Sequence, residues 1–140
     1  METVSRSEKA LAHFRAPYNV GYINAPDGVG QVGNPACGDV LTMFIRVERS
    51  LLIDIKYVVQ GCGTLAAACS AVSDLARHMT LDEARQVTGD DIARELGGLP
   101  PDDFHCAQLA AQVLSRAVED CRRRRRVDLH DWRSMYRNKA

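Results

Sequence analysis

Two stretches of the chain alternate apolar and polar positions. Over residues 40–49, Leu41, Met43, Ile45 and Val47 alternate with Thr42, Arg46 and Glu48. Over 51–60, Leu51, Ile53, Ile55, Tyr57 and Val59 alternate with Asp54, Lys56 and Gln60. Period two with β-branched enrichment predicts two half-buried strands. The join at Arg49-Ser50 is short, so the pair reads as an antiparallel hairpin, without the Asn-Gly or Asp-Gly signal that would fix its turn type. After Gly63 the period lengthens. Leu65, Ala68, Cys69, Val72, Leu75, Ala76 and Met79 fall three or four apart, as on an amphipathic helix. Thr80-Leu81-Asp82-Glu83 has the form of a capping box opening a short helix. Asp90 or Asp91 caps another, which Gly97-Gly98 ends. A last helix runs from about residue 103 into the arginines, with Phe104, Ala107, Ala111, Leu114, Val118 and Cys121 as its stripe.

The N-terminal part is less regular. Residues 5–14 read as a short helix capped by Ser5 or Ser7, and Ala16-Pro17 closes it because the residue before proline avoids helical backbone. Residues 18–39, rich in Gly, Asn, Asp and Pro, read as loop with one short extended piece around Val29 to Val32. Strands first and helices after predict an α+β domain with helices on one face of a small antiparallel sheet.

At 140 residues the chain is long enough for one domain with a substantial core. Eighteen basic against eighteen acidic residues give zero formal charge, so no global field draws it to nucleic acid or to an anionic membrane. The run Arg122 to Arg126 reads as a helix end whose cations complement the dipole, or as a docking site for an acidic partner, rather than a nucleic-acid surface. No apolar run could span a bilayer and the N-terminus lacks an apolar signal core, so a cytoplasmic location is expected.

Five cysteines, an odd number without a secretion signal, argue against a disulfide framework. Cys69 and Cys121 lie on helical apolar stripes and read as core. Cys37, in Pro35-Ala36-Cys37-Gly38-Asp39, Cys62, in Gly61-Cys62-Gly63, and Cys106, after His105, sit at the ends of elements. Two of these are at helix N-termini, whose partial positive charge favours thiolate. Asp39 reads either as a turn aspartate or as a hard oxygen ligand beside soft sulfurs. His105 is either a surface histidine or an imidazole ligand or proton donor beside a thiolate.

The pieces Asn19-Val20-Gly21, Gly33-Asn34-Pro35-Ala36-Cys37-Gly38-Asp39, Gly61-Cys62-Gly63, Leu96-Gly97-Gly98-Leu99-Pro100 and His105-Cys106, in this order, closely resemble the IscU/NifU-type iron–sulfur cluster assembly scaffolds. The resemblance spans roughly residues 6 to 125. It implies a three-stranded antiparallel sheet with helices on one side and the cysteines gathered at an exposed end. It implies a scaffold domain over 1–126 and a C-terminal extension over 127–140, helical or flexible. Cys37, Cys62 and Cys106 match the family's cluster-binding cysteines, Asp39 the aspartate that keeps the cluster labile, and His105 an alternative ligand. A scaffold of this kind is not an enzyme. It takes persulfide sulfur from a cysteine desulfurase and ferrous iron, with Cys106 the first choice of acceptor and Cys37 the second. It builds a [2Fe-2S] cluster with electrons from a donor such as a ferredoxin and passes it to apo-proteins, and a homodimer is compatible with the resemblance.

The chain departs from the family pattern in places. Asp102-Asp103 stand where chaperone-dependent members have Val-Lys, Arg6 replaces a tyrosine used by some members in dimerisation, and Cys69 replaces a usual serine. The alternative reading is a zinc-binding carrier that accepts persulfide without building clusters. Such relatives carry an insertion between the second and third cysteines and lack the histidine, whereas His105 is present here without such an insertion. Zn2+ suits the same thiolates and can substitute for iron.

Overall fold

The computed structural model of the chain describes the backbone of residues 6–34 and 38–137, with side chains at all of these except 34, 39 and 126–137. Helix α1 (Glu8–Arg15) comes first, followed by strands β1 (Gly28–Asn34), β2 (Asp39–Glu48) and β3 (Leu51–Gln60). Helices α2 (Gly63–Ala76), α3 (Leu81–Arg85), α4 (Gly89–Glu95) and α5 (Phe104–Arg137) follow, with a 3-10 turn over Pro101–Asp103 leading into α5. The sheet has the order β1-β2-β3, antiparallel throughout. The expected α+β architecture is therefore present, with β1 as a full third strand where the sequence marked only a short extended piece.

The hairpin forms as its alternation predicts, with a turn that composition did not reveal. Arg49 and Ser50 both have positive φ, 53° and 65°, which is the backbone of a two-residue type I′ turn made without glycine. Leu41, Met43, Ile45 and Val47 line the inner face, as do Ile55 and Tyr57. Leu52 is fully buried, however, and the expected inner residues Leu51 and Ile53 are not. The register explains the reversal. Arg46 pairs with Asp54 but Val47 with Leu52, so Ile53 is an extra residue in β3 and the face flips at the bulge.

Helix α2 is buried well beyond the amphipathic stripe its spacing predicts. Every residue from Ala67 to Ser73 is buried, because the helix is packed by α1, α4, α5 and β3 together. It ends at Ala76, so Met79 lies beyond it. Its serines are spent on anchoring the N-terminal segment. Ser70 Oγ accepts from the Tyr18 amide at 2.8 Å and lies 2.7 Å from His13 Nδ1, and Ser73 Oγ accepts from Asn19 Nδ2 at 2.9 Å.

Caps behave largely as read. Ser7, not Ser5, caps α1, and Thr80 with Glu83 forms the expected capping box on α3. For α4 the cap is Thr88 rather than an aspartate. Asp91 is its N3 partner, returning a bond to the Thr88 amide at 2.9 Å. Gly97 and Gly98, with φ of 79° and 101°, end the helix. Arg6 donates to Leu96 O and Gly98 O at 2.8 and 2.9 Å, so the residue standing in place of a tyrosine satisfies carbonyls left over at the end of α4.

Helix α5 is 34 residues long, about 51 Å at 1.5 Å per residue. It lies along β1 and β2 at extremely close range. A Cβ on Gly30 would come 2.5 Å from Val113 O and 2.6 Å from Ala117 N, and one on Gly28 would come 2.3 Å from Ala117 O. The glycines of β1 therefore form the bed of the helix. The buried stripe of α5 is Cys106, Ala107, Ala110, Val113, Leu114, Ala117, Val118 and Cys121, while the expected Phe104 and Ala111 are only partly covered. Because the helix continues to Arg137, the arginines are not at its C-terminus and the dipole explanation fails. Arg122 pairs with Asp82, and Arg123 and Arg124 each pair with Asp120 at 3.0 Å. Among the described residues no helix is long and apolar enough to cross a membrane.

Candidate functional site

Two helix starts meet at one end of the molecule. Cys62 is the N-cap residue of α2, with extended backbone (φ −77°, ψ 162°) and no side-chain capping bond, so its thiol is not used to close the helix. Cys106 is in the first turn of α5. The Sγ atoms of Cys62 and Cys106 are 3.9 Å apart, across 44 positions of sequence. That is far too long for a disulfide. Two sulfurs bonded to one tetrahedral metal at ~2.3 Å would stand roughly 3.8 Å apart, so the spacing is that of a shared ligand edge.

His105 completes this side. Its Nε2 is 3.6 Å from Cys106 Sγ, and its Nδ1 is 3.0 Å from the carbonyl of Asp102. A carbonyl can only accept, so Nδ1 carries the proton, and the neutral tautomer with that proton has its lone pair on Nε2. An imidazole nitrogen and a thiolate on one tetrahedral metal would be roughly 3.6 Å apart. Asp102 thus contributes its backbone, fixing tautomer and ring orientation as an outer partner of a metal ligand does. Nothing in the residue type signalled this. Only the three-residue spacing across the 3-10 turn carries it.

Cys62 and His105 are exposed, but Cys106 is 1% exposed. This corrects the expectation of an exposed acceptor thiol at Cys106, which lies in the core beside the first turn of α2. The structure places the backbone of Asp39 as the first residue of β2, opposite Asn34. The next residue, Val40, pairs with Gln60 at the end of β3, two positions before Cys62. Antiparallel register therefore brings the Asp39 backbone to the same end of the sheet. Cys37 lies outside the described residues.

Cys69 and Cys121 are fully buried, as the stripes implied. Burial pushes the Cys69 thiol well above its ordinary value, and the nearby Cys106 pushes it further in the same direction. Burial likewise raises Cys121. Both are inert hydrophobes in the folded chain.

Residues 5–128 match the NifU-like N-terminal domain, and the chain belongs to that family. Among its relatives, the iron-sulfur cluster assembly scaffold protein IscU 1 of Archaeoglobus fulgidus is 45% identical over 114 residues, covering 81% of this chain and 74% of the relative. The IscU scaffold protein of Escherichia coli is 38% identical over 123 residues, covering 85% of this chain and 95% of the relative. Among solved structures, the N-terminal part of a NifU-like protein from Brucella abortus superposes with a TM-score of 0.59 at 21% identity, covering 84% of this chain and 91% of that one. A scaffold protein described for the SUF system of Fervidobacterium islandicum superposes with a TM-score of 0.62 at 18% identity, covering 81% and 96%. These two show the shared fold.

Proposed function

We propose that this chain is an iron–sulfur cluster assembly scaffold and not an enzyme: iron and sulfur are its substrates and the cluster is its cargo. The observation that supports this most directly is the Cys62–Cys106 pair at ligand-edge spacing with the His105 Nε2 lone pair beside it, in a chain of the NifU-like family. The ligands we assign are Cys37, Cys62 and Cys106, with Asp39 or His105 as the weaker fourth donor. A hard carboxylate or an imidazole in that position leaves one labile edge, which suits a cluster that must be handed on. The cargo we assign is a [2Fe-2S] cluster built from Fe2+, with Zn2+ able to occupy the same donors. Residues 1–126 would form the scaffold and 127–140 an extension, part of which continues α5.

Sulfur would arrive from a cysteine desulfurase. The Cys106 thiolate, or Cys37 in its place, attacks the terminal sulfur of the desulfurase persulfide. A new S–S bond forms on the scaffold cysteine, the old S–S bond breaks, and the desulfurase cysteine leaves as thiolate. Cys106 is covered in this conformation, so that attack requires its surroundings to open. Reduction of the persulfide needs electrons from a donor such as a ferredoxin, and delivery goes to apo iron–sulfur proteins. This chemistry requires a reducing compartment, consistent with a cytoplasmic location.

Anaerobic reconstitution with Fe2+, cysteine and a desulfurase tests the reading. The parent should develop visible absorbance with equal iron and sulfide per chain, and Cys62→Ser and Cys106→Ser should lose most of it. Parent protein that gains neither, or a Cys62→Ser variant that loads as fully as the parent, overturns the assignment.

A further inference from the structure

A second group of potential ligand side chains lies at the junction of α1, α2 and α4. His13 from α1, Asp74 from α2 and Glu95 from the end of α4 each bring one ligand atom to within 4.8 Å of the other two. His13 is fully buried, its Nδ1 lies 2.7 Å from Ser70 Oγ, and its Nε2 is buried with no hydrogen-bond partner. A buried imidazole nitrogen without a partner is a costly arrangement, and the ring that carries it stands beside two carboxylates. Ser70 Oγ already accepts from the Tyr18 amide. When it also accepts from Nδ1–H, the lone pair is left on Nε2, the form a metal needs.

We propose that His13, Asp74 and Glu95 form a second cation site, for a divalent first-row transition ion held by one nitrogen and two oxygens. This donor set is harder than the thiolate pair and suits Mn2+, Fe2+, Co2+ or Zn2+. Metal–ligand bonds of about 2.0–2.2 Å require the donors to draw in to roughly 3.0–3.5 Å of one another. Asp74 and Glu95 retain 35% and 20% of their side-chain exposure, so both can turn inward and solvent can supply the remaining positions. Burial holds His13 below its ordinary pKa, against the pull of Asp74 and Glu95, which keeps the imidazole neutral and able to ligate.

The competing cation is internal. Lys9, one turn before His13 on α1, places its ammonium 3.0 Å from Glu95 and 3.9 Å from Asp74. Its side chain is 65% exposed, so it can swing into solvent when a divalent ion enters. Lys9 is thus a gate on the site. An ion bound there would tie α1 to α2 and α4 at the end of α2 remote in sequence from Cys62, and would act on stability by mass action.

The test is anaerobic titration of the full chain with Co2+, reading total bound cobalt alongside the near-ultraviolet thiolate-to-cobalt absorbance. Total binding should exceed thiolate-ligated binding by one equivalent. Asp74→Asn and Glu95→Gln, both at partly exposed positions, should each weaken that additional equivalent by roughly 10–100-fold while leaving the thiolate absorbance intact. His13→Gln should do the same where it folds, and Lys9→Met should tighten it. Cobalt binding that is wholly thiolate-ligated overturns the proposal, as does an additional equivalent unchanged in both Asp74→Asn and Glu95→Gln.

Discussion

Cys62 and Cys106 hold their sulfur atoms 3.9 Å apart because each begins a helix and the two helices pack against each other. Their accessibility is unequal, since Cys62 is exposed and Cys106 is enclosed. Short treatment of the native protein with iodoacetamide should therefore label Cys62 well ahead of Cys69 and Cys121, whose thiols burial drives toward the protonated form. Peptide mass spectrometry reads the order. Equal labelling of Cys62 and Cys69 before unfolding would contradict this geometry.

The bed of α5 makes a strong prediction about β1. Gly30→Ala puts a methyl group 2.5 Å from Val113 O, a contact neither backbone can relieve locally. It should cost about 1–3 kcal/mol, as overpacking generally does. Gly63→Ala is the contrast. Nothing lies within 4 Å of its added carbon and it starts α2, so it should be neutral or stabilising by up to about 1 kcal/mol. Urea denaturation of the two variants compares them, and equal midpoints would refute the packing argument.

Asp120 is the clasp between α5 and the rim of the sheet. Its Oδ2 accepts from the Val29 amide at 2.8 Å and from Arg124 Nε at 3.0 Å, and its Oδ1 accepts from Arg123 at 3.0 Å. Asp120→Ala should lower stability by about 1.5–3 kcal/mol, the range for a hydrogen bond to a charged group. Because this clasp also seats α5 against β1, metal retention at the thiols should weaken in the same variant. Calorimetry and metal analysis of one preparation check both halves.

His13 gives folding a pH dependence of definite sign. Asp74 and Glu95 raise its pKa and Lys9 lowers it, but burial dominates and the folded value is below 6.5. The unfolded chain therefore takes up the proton first. This contribution is fully present above about pH 6.5 and is lost as pH falls from there through the lower folded value. Unfolding free energies in chelator between pH 7.5 and 5 should decline, and His13→Gln should flatten the decline. A slope identical in both proteins would remove His13 as its source.

Much of this architecture was legible because it rests on period and caps. The hairpin, the Thr80–Glu83 box and the Gly97-Gly98 stop follow from local chemistry alone. Leu51 and Ile53 do not face inward as their alternation predicts, because a one-residue bulge at Ile53 leaves no mark in composition yet inverts the facing on its hairpin side. Thr88 is not conspicuous as the cap because its partner Asp91 is itself a good cap, and sequence does not tell which end of a reciprocal pair begins the helix. Of the two readings of Arg122 to Arg126, the helix end fails because the helix runs on to Arg137, a length that the run of arginines itself does not reveal. At the site, His105 and Cys106 are conspicuous by adjacency, whereas the enclosure of Cys106 is a matter of tertiary packing that no local pattern carries. His13, Asp74 and Glu95 come from three helices, and no spacing rule links them.

The closeness of Gly30 to Val113 has a mechanical consequence. One stiff rod carries His105 and Cys106 at its tip and rests its middle on bare backbone, with no side chains between to act as a cushion. Displacement of the tip is therefore levered against β1 rather than absorbed along the way. Any movement of the tip and any lifting of the rod from its seat draw on the same reserve of stability, so a substitution in β1 can alter the placing of a distant thiol.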